Sequence, residues 1–83
     1  MFYVYVLLGN DNKFYTGYTE NLKQRVEQHN KGNVKSTKNR TPLKLIYYEA
    51  CIDDQDALKR EKYLKTTWGK RYLKKRLKNY LTG

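Results

Sequence analysis

Five side chains of this sequence are of types that phosphodiester chemistry can use. They are two tyrosines, an arginine, a histidine and a glutamate, namely Tyr5, Tyr15, Arg25, His29 and Glu61. A guanidinium pairs with two phosphate oxygens through its planar fork, and an imidazole or a phenol can accept a proton. A carboxylate can bind a divalent cation. These residue types are therefore compatible with chemistry at a phosphodiester, and their order and spacing decide how specific the indication is.

The order and spacing of these residues add specificity. Tyr5 ends the triplet YVY at 3–5, Tyr15 opens the triplet YTG at 15–17, and Arg25 follows ten positions after Tyr15, with His29 one helical turn later. This pattern resembles the GIY-YIG nuclease family, in particular its small single-domain members related to the N-terminal nuclease module of the excision-repair C subunit. The resemblance extends from Phe2 to about Leu81.

The resemblance implies a role for each residue. Glu61 would bind Mg²⁺ or Mn²⁺, Arg25 would hold the scissile phosphate and Tyr15 would position it. Tyr5 would orient or deprotonate the attacking water, and His29 is the rival base. Tyr18 matches a place where some family members carry a further active-site residue. Two departures stand out: the first triplet lacks the family's leading glycine, and only Asn79 is a candidate for a late family asparagine.

The patterning predicts an α+β fold in the order ββαβαα, with a three-stranded antiparallel sheet flanked by helices and residues 1–83 forming one domain. The predicted strands are 2–8, 14–19 and 43–48, with a turn at 9–12. The first helix spans 22–30, with Thr19 or Asn21 as its N-cap and Gly32 ending it. The second runs from Asp53 or Asp54 to about Thr66 and breaks near Gly69, and the last spans 70–81.

Helical periodicity tests two of the candidate residues. On a helical wheel, Glu61 lies between Ala57 and Leu58, within the apolar stripe of the second helix. A carboxylate buried there costs free energy unless a cation, hydrogen bonds or a metal compensates its charge. The alternative is a glutamate at the edge of the stripe that pairs with a lysine. Arg25 and His29 share the face of the first helix that turns toward the tyrosines. The alternative for His29 is a satisfied packing residue.

The charge of the chain favours a polyanionic partner. Eighteen Lys and Arg residues against eight Asp and Glu residues give a net charge of +10 on 83 residues, which favours phosphates through attraction and counterion release. DNA is the expected partner, and a basic ribosome-associated or merely soluble protein is the alternative. The predicted nucleic-acid contacts are Tyr18, the exposed basic loop 31–41 with Lys31, Lys35, Lys38 and Arg40, and Lys70, Lys74, Lys75 and Lys78 on the last helix. A solvated helix face is the alternative for the last group.

Composition excludes several other classes. The mean hydropathy is −1.01, and the longest apolar run, 2–8, is far shorter than the ~20 residues of a membrane span. That run reads as a strand and not as a signal peptide. Cys51 is the one cysteine, so no internal disulfide can form, and the sequence has no zinc-type ligand spacing. The family resemblance and the basic charge together imply a metal-dependent DNA endonuclease, structure-selective in repair or recombination, and the single cysteine indicates the cytoplasm. The alternative is a non-catalytic nucleic-acid-binding module or subunit with the same fold.

Overall fold

The computed structural model describes residues 1–83 and begins with a β-hairpin. Strand β1 (Phe2–Leu8) pairs antiparallel with β2 (Phe14–Thr19), and both are rich in the aromatic and β-branched residues that strands prefer. The turn between them places Asn12 in the left-handed region, with φ 62°. Both strand ranges are those predicted from the sequence.

Helix α1 (Leu22–Asn30) follows the hairpin and has the predicted range. The side chain of Asn21 accepts a hydrogen bond from the backbone N–H of Gln24, so Asn21 is the N-cap and Thr19 is the last residue of β2. Gly32, with φ +77°, lies just beyond the helix, where a left-handed residue is needed to turn the chain away.

Strand β3 (Lys44–Cys51) pairs antiparallel with the other side of β1, giving the order β2-β1-β3. The predicted three-stranded antiparallel sheet is confirmed. The strand begins one residue later than predicted and runs on to Cys51, because β1 offers partners as far as Phe2. Cys51 therefore lies in the sheet and not in the connection that follows it.

Three helices complete the chain: α2 (Asp54–Leu64), α3 (Thr67–Arg76) and α4 (Lys78–Thr82). The prediction of a break at Gly69 followed by one helix over 70–81 is wrong. Thr66 caps α3 by accepting from the backbone N–H of Gly69, so this helix starts at Thr67. A Cβ on Gly69 would overlap the backbone of Leu64, so the glycine permits close packing of α3 against the end of α2. The last predicted helix is divided at Leu77, whose φ of −105° and ψ of 20° are not helical.

Alternation along the strands divides the core between the two faces of the sheet. On one face, Val4 and Val6 pack with Ala57, Leu64 and Leu73 of α2 and α3. On the other face a second cluster packs beneath α1 and consists of Tyr5, Leu7 and Leu43 with Tyr15, Leu22, Val26 and Leu45. The hydroxyl ends of Tyr5 and Tyr15 therefore belong to the α1 face. None of the helices has the length and apolarity that a membrane crossing requires.

Candidate active site

The ring of Tyr5 extends from the central strand β1 over the neighbouring strand β2. Tyr5 is the cross-strand partner of Gly17, and a Cβ at position 17 would overlap the phenol oxygen of Tyr5. Gly17 therefore leaves the space through which this ring reaches α1. Tyr15 stands beside it, with its ring centroid 6.5 Å from that of Tyr5. The predicted hairpin therefore brings the two tyrosines together.

His29 is fully buried and has a partner at each ring nitrogen. Its Nε2 lies 2.8 Å from Tyr5 Oη, and its Nδ1 lies 2.7 Å from Thr37 Oγ1. The Thr37 hydroxyl donates to the carbonyl of Val34, 3.5 Å away, so its oxygen is an acceptor for Nδ1–H. We assign the neutral Nδ1–H tautomer on this network, which makes Nε2 the acceptor for the Tyr5 hydroxyl.

Arg25 completes this cluster from the same face of α1. Its Nε donates to Tyr5 Oη over 3.3 Å, and its Nη1 donates to Gln28 Oε1 over 3.2 Å. Tyr5 Oη thus accepts from a cation and donates to a neutral imidazole. The Arg25, Tyr5, His29 and Thr37 side chains form one continuous chain of hydrogen bonds.

Burial shifts the proton equilibria in this cluster. It lowers the pKa of His29 to about 4, and the nearby Arg25 charge acts in the same direction. Burial also raises the pKa of Tyr5, although the hydrogen bond from Arg25 opposes the rise. At neutral pH, His29 is therefore an uncharged acceptor and Tyr5 an un-ionised phenol, although the pKa of an unperturbed imidazole is near 6.5.

Glu61 approaches from α2. Its carboxylate helps to raise the pKa of both Tyr5 and Tyr18, so it lies within electrostatic reach of both phenols. Its side chain is 18% exposed, and Oε2 forms an ion pair with Lys65 Nζ at 3.2 Å. This is the pairing with a lysine that was the alternative for a glutamate at the edge of the apolar stripe.

The groups around Glu61 fit some metals and not others. No group of three or more His, Cys, Asp or Glu side chains is placed to hold an ion, which argues against a zinc cage. Mg²⁺ commonly binds through one or two carboxylates and takes its remaining ligands from water and substrate phosphates. A single glutamate within electrostatic reach of Tyr5 and Tyr18 is a donor set compatible with Mg²⁺ or the chemically similar Mn²⁺.

Tyr18 lies apart from the other two tyrosines, on the α2 face of the sheet. It stacks on Phe2 with ring centroids 6.0 Å apart and donates its hydroxyl to Asp54. This hydrogen bond is the main reason that the pKa of Tyr18 rises to about 12. Tyr18 is half-buried, and its ring and hydroxyl partners are Phe2 and Asp54, not Tyr5 or Tyr15.

The sequence model of the GIY-YIG catalytic domain matches residues 1–76. The chain belongs to the GIY-YIG family. Membership implies a nuclease-type domain that binds nucleic acid, and it confirms the resemblance recognised in the sequence.

Several relatives of this GIY-YIG domain are UPF0213 proteins. One from Clostridium perfringens is 44% identical over 66 residues, covering 78% of this chain and 71% of that protein. One from Pediococcus acidilactici is 47% identical over 76 residues, covering 88% and 78%. The solution NMR structure of a UPF0213 protein from Bacillus halodurans aligns with a TM-score of 0.56 at 32% identity, covering 88% of this chain and 82% of that one. This structural similarity supports the α+β fold.

The basic loop of the GIY-YIG domain is only partly as predicted. Lys31, Lys35 and Lys38 are exposed, but Val34 and Thr37 are buried, so the prediction that all of 31–41 is an exposed loop is wrong. Burial is possible because Thr37 satisfies its hydroxyl on His29. The loop also approaches the site through Ser36, whose hydroxyl donates to Tyr15 Oη over 3.5 Å.

Arg40 differs from the lysines of that loop because its guanidinium is already engaged. It donates to both carboxylate oxygens of Asp11, at 2.9 and 3.2 Å, and to the carbonyl of Lys13 at 2.7 Å. The ion pair lowers the pKa of Asp11. Arg40 therefore ties the loop to the hairpin turn, and only part of its guanidinium is available to a phosphate.

The four predicted nucleic-acid contacts of the C-terminal helices are exposed, and two of them line a groove. Lys70 and Lys74 of α3 line a groove beside the hairpin turn, whereas Lys75 and Lys78 do not. Asn79 is exposed on α4, where its carbonyl accepts from the N–H of Gly83. Sequence reasoning missed Thr37 and Asp54 as partners of the site. Helix α1 ends at Asn30, so its periodicity carries no information about position 37, and the sequence offered no signal there.

Proposed function

We propose that this GIY-YIG domain is a cytoplasmic, metal-dependent endonuclease that hydrolyses DNA phosphodiester bonds, with selectivity for structures that arise in repair or recombination. The observation that carries the proposal is the hydrogen-bonded chain from Arg25 through Tyr5 and His29 to Thr37. No buried side-chain nitrogen or oxygen atom lacks a partner, so the chain is fully satisfied before substrate arrives. Such preorganisation is what stabilisation of a phosphoryl transition state requires.

Tyr5 and His29 together supply the base. Tyr5 Oη has one lone pair occupied by Arg25 and one left for the attacking water. As this oxygen takes a proton from the water, its own proton passes to His29 Nε2, which lies 2.8 Å away. The raised pKa of Tyr5 disfavours a phenolate at neutral pH. A neutral Tyr5 that passes its proton to His29 while it accepts one from water therefore suits neutral pH better than a phenolate base does. Because burial and the Arg25 charge disfavour an imidazolium, the proton stays on His29 only transiently. It passes back to Tyr5 Oη, which releases to solvent the proton it took from the water.

Arg25 and Tyr15 would hold the phosphate. Arg25 uses Nε and Nη1 within the protein, which leaves Nη2 to donate to a phosphate oxygen. The charge that develops on the phosphorus oxygens is then met by a guanidinium whose position is already set by Tyr5. Tyr15 is half-buried, with its hydroxyl beside Ser36, where it can position a second oxygen.

Glu61 is the residue that would hold Mg²⁺ or Mn²⁺. Such an ion, when bound, neutralises charge on the leaving oxygen. Lys65 now pairs with this carboxylate and is 54% exposed, so its ammonium can move into solvent at little cost.

A non-catalytic nucleic-acid-binding module is the second candidate. The specific observation in its favour is the Lys65–Glu61 ion pair, which satisfies the carboxylate without a metal. The net charge of +10 supports nucleic-acid binding in both cases. The two candidates differ only in turnover.

Cleavage of labelled branched and linear DNA by the pure protein, with Mg²⁺, Mn²⁺ or EDTA, separates the candidates. We expect metal-dependent cleavage, and Glu61→Gln should reduce it by about a hundredfold or more. Glu27→Gln is the matched control, because Glu27 is an exposed carboxylate on α1. Equal cleavage by the parent and Glu61→Gln would refute the metal assignment, and binding of DNA without cleavage under any condition would favour the module.

A further inference from the structure

A groove of about 750 Å³ separates the β1–β2 turn from the two C-terminal helices. It lies on the opposite side of the sheet from the catalytic cluster, because Phe14 in the groove and Tyr15 in the site are successive residues of β2. The residues that line it are Asp11, Asn12, Lys13, Phe14, Arg40, Lys70, Lys74, Leu81 and Thr82.

The groove carries positive charge that the protein does not neutralise. The protein contains three ion pairs, and none of them involves Lys13, Lys70 or Lys74. Asp11 is the one carboxylate in the lining, and both of its oxygens already accept from Arg40. Three free ammonium groups therefore face the same space.

Two of these lysines are arranged unfavourably for the free protein. Lys70 and Lys74 are one turn apart on α3, where like charges repel and destabilise a helix. Lys13 adds a third charge from the hairpin turn on the other wall. An anionic ligand in the groove would convert this repulsion into attraction.

The remaining lining suits a nucleotide better than a simple anion. Phe14 is half-buried and Leu81 is 36% exposed, so an aromatic ring and an aliphatic side chain form an apolar patch among the cations. Bases pack on such surfaces while their phosphates contact nearby cations, which is how single strands are bound without sequence preference. Lysine contacts phosphates as a mobile point charge and so tolerates varied strand geometry.

The position of the groove selects a flexible strand over a rigid duplex. β2 is an edge strand, since it pairs only with β1. The catalytic cluster and the groove meet this edge from opposite faces of the sheet, so a chain that contacts both has to turn around it. A single strand turns far more easily than a duplex, whose persistence length is about 50 nm.

We propose that this groove binds single-stranded nucleic acid, as the unpaired arm of a branched substrate that leaves the catalytic cluster around the edge of β2. The strand-binding site is inferred from the groove itself. Only the identity of the bound strand as part of a substrate rests on the proposed nuclease function. The groove thereby gives a physical basis for a preference for branched over linear DNA.

The test is a comparison of two double variants with equal loss of charge. Lys13→Gln/Lys74→Gln removes two positive charges from the groove. Lys59→Gln/Lys62→Gln removes two exposed positive charges of α2 that do not line the groove. Affinities for a fluorescent oligothymidylate of about eight nucleotides and for a blunt duplex are titrated against salt. All measurements are made in EDTA, so no cleavage intervenes.

The groove variant should lose about tenfold in oligothymidylate affinity, and its slope of log affinity against log salt should flatten by about 1.4, from roughly 0.7 per lost contact on single strands. The control should lose less than half as much. Equal losses in the two variants would reduce the effect to general charge and overturn the proposal. A larger loss on the duplex than on the single strand would make the groove a duplex surface and overturn it as well.

Direct mapping gives a second measurement that does not depend on a variant's folding. Oligothymidylate added to the ¹⁵N-labelled parent should shift amide signals of residues 11–14, 70, 74 and 81–82. Absence of shifts there, with shifts elsewhere, would place the strand on another surface. Because both measurements report binding alone, a filled groove in a protein that never cleaves DNA would refute the nuclease and leave this site. A protein that cleaves DNA but shows no binding in the groove would support the nuclease function and refute the strand-binding site.

Discussion

The two faces of the sheet hold their functional residues in different ways. On the α1 face, Tyr5, His29 and Thr37 are each at most 1% exposed, and buried hydrogen bonds join them in one chain. On the α2 face, the carboxylate of Glu61 is partly exposed and pairs with a lysine whose side chain is half in solvent.

The difference indicates a division between a rigid half and an exchangeable half. A buried polar chain persists because breaking any link leaves a desolvated group without a partner, at a cost of about 1–3 kcal/mol. A surface ion pair one turn apart on a helix contributes only about 0.3–0.5 kcal/mol, so its cation is easily replaced. Under the proposed function, the α1 face would position phosphate and proton in advance, and on the α2 face a metal ion would replace Lys65 as the partner of Glu61.

Replacement of Arg25 should give the largest effect, because Arg25 is the cation of the rigid half. Arg25→Ala should lower cleavage at saturating DNA by about a hundredfold to a thousandfold and change DNA affinity little, since it is one phosphate contact among many. Lys23→Ala, an exposed cation on the same helix, is the control. A loss of affinity as large as the loss of rate would make Arg25 a binding residue only.

The pH dependence of stability tests whether the buried His29 stays neutral. Its pKa is about 4 in the folded protein and about 6.5 when unfolded, so the unfolded state binds the extra proton between these values. The free energy of unfolding contributed by this group is fully present above pH 6.5 and is lost as the pH falls toward 4, by about 2–3 kcal/mol. Denaturant titrations of the parent and His29→Gln should show this added slope in the parent alone.

The same shift changes what a rate profile should show. An imidazole with an ordinary pKa would give an inflection between about pH 5.5 and 7.5. With a pKa near 4 in the free protein, the plot of kcat/KM against pH should carry no His29 step in that interval. A clear inflection near 6.5 in the parent that His29→Gln removes would mean that the imidazole is solvated in the working enzyme.

Thr37 tests whether the rigid half depends on the tautomer of His29. Thr37→Val keeps the shape but leaves Nδ1–H buried without an acceptor, which should cost about 1–2 kcal/mol in the free energy of unfolding. It should also lower kcat without raising KM. Thr37→Ser should restore both, because the hydroxyl returns. Thr67→Val, at an exposed threonine, is the control; equal behaviour of the Val and Ser variants at position 37 would remove Thr37 from the proton path.

These outcomes bear on residues that the sequence revealed to different degrees. Periodicity and turn residues predicted the hairpin, α1 and the approach of Arg25 and His29 to the tyrosines, because those features depend on local spacing. Strand alternation would also have placed Tyr18 correctly, since residues three apart in a strand point to opposite faces. Thr37 was not predictable, because its position depends on how an irregular loop folds back onto a helix.

The C-terminal region shows the same limit. Glycine is a common helix breaker in isolation, but Gly69 is needed inside α3 because two helices approach closely there. Only the packing of α3 on α2 reveals that use. Lys65, by contrast, lies at i+4 from Glu61, and that spacing was visible in the sequence.

Replacement of Lys65 should give the smallest effect and is the direct test of the exchangeable half. In Lys65→Met the carboxylate of Glu61 loses its cation, so its affinity for Mn²⁺, measured by calorimetry in the absence of DNA, should rise about twofold to threefold, as loss of an exposed pair of about 0.5 kcal/mol implies. Lys62→Met removes an exposed lysine of the same helix that makes no ion pair, and so corrects for general charge. The free energy of unfolding should change by no more than about 0.5 kcal/mol in either variant. The double variant Glu61→Gln/Lys65→Met should lose the gain in Mn²⁺ affinity, because the ligand itself is gone. If Lys65→Met instead binds Mn²⁺ no better than Lys62→Met does, the lysine does not compete with the metal, and the contrast between the two faces would lie in burial alone.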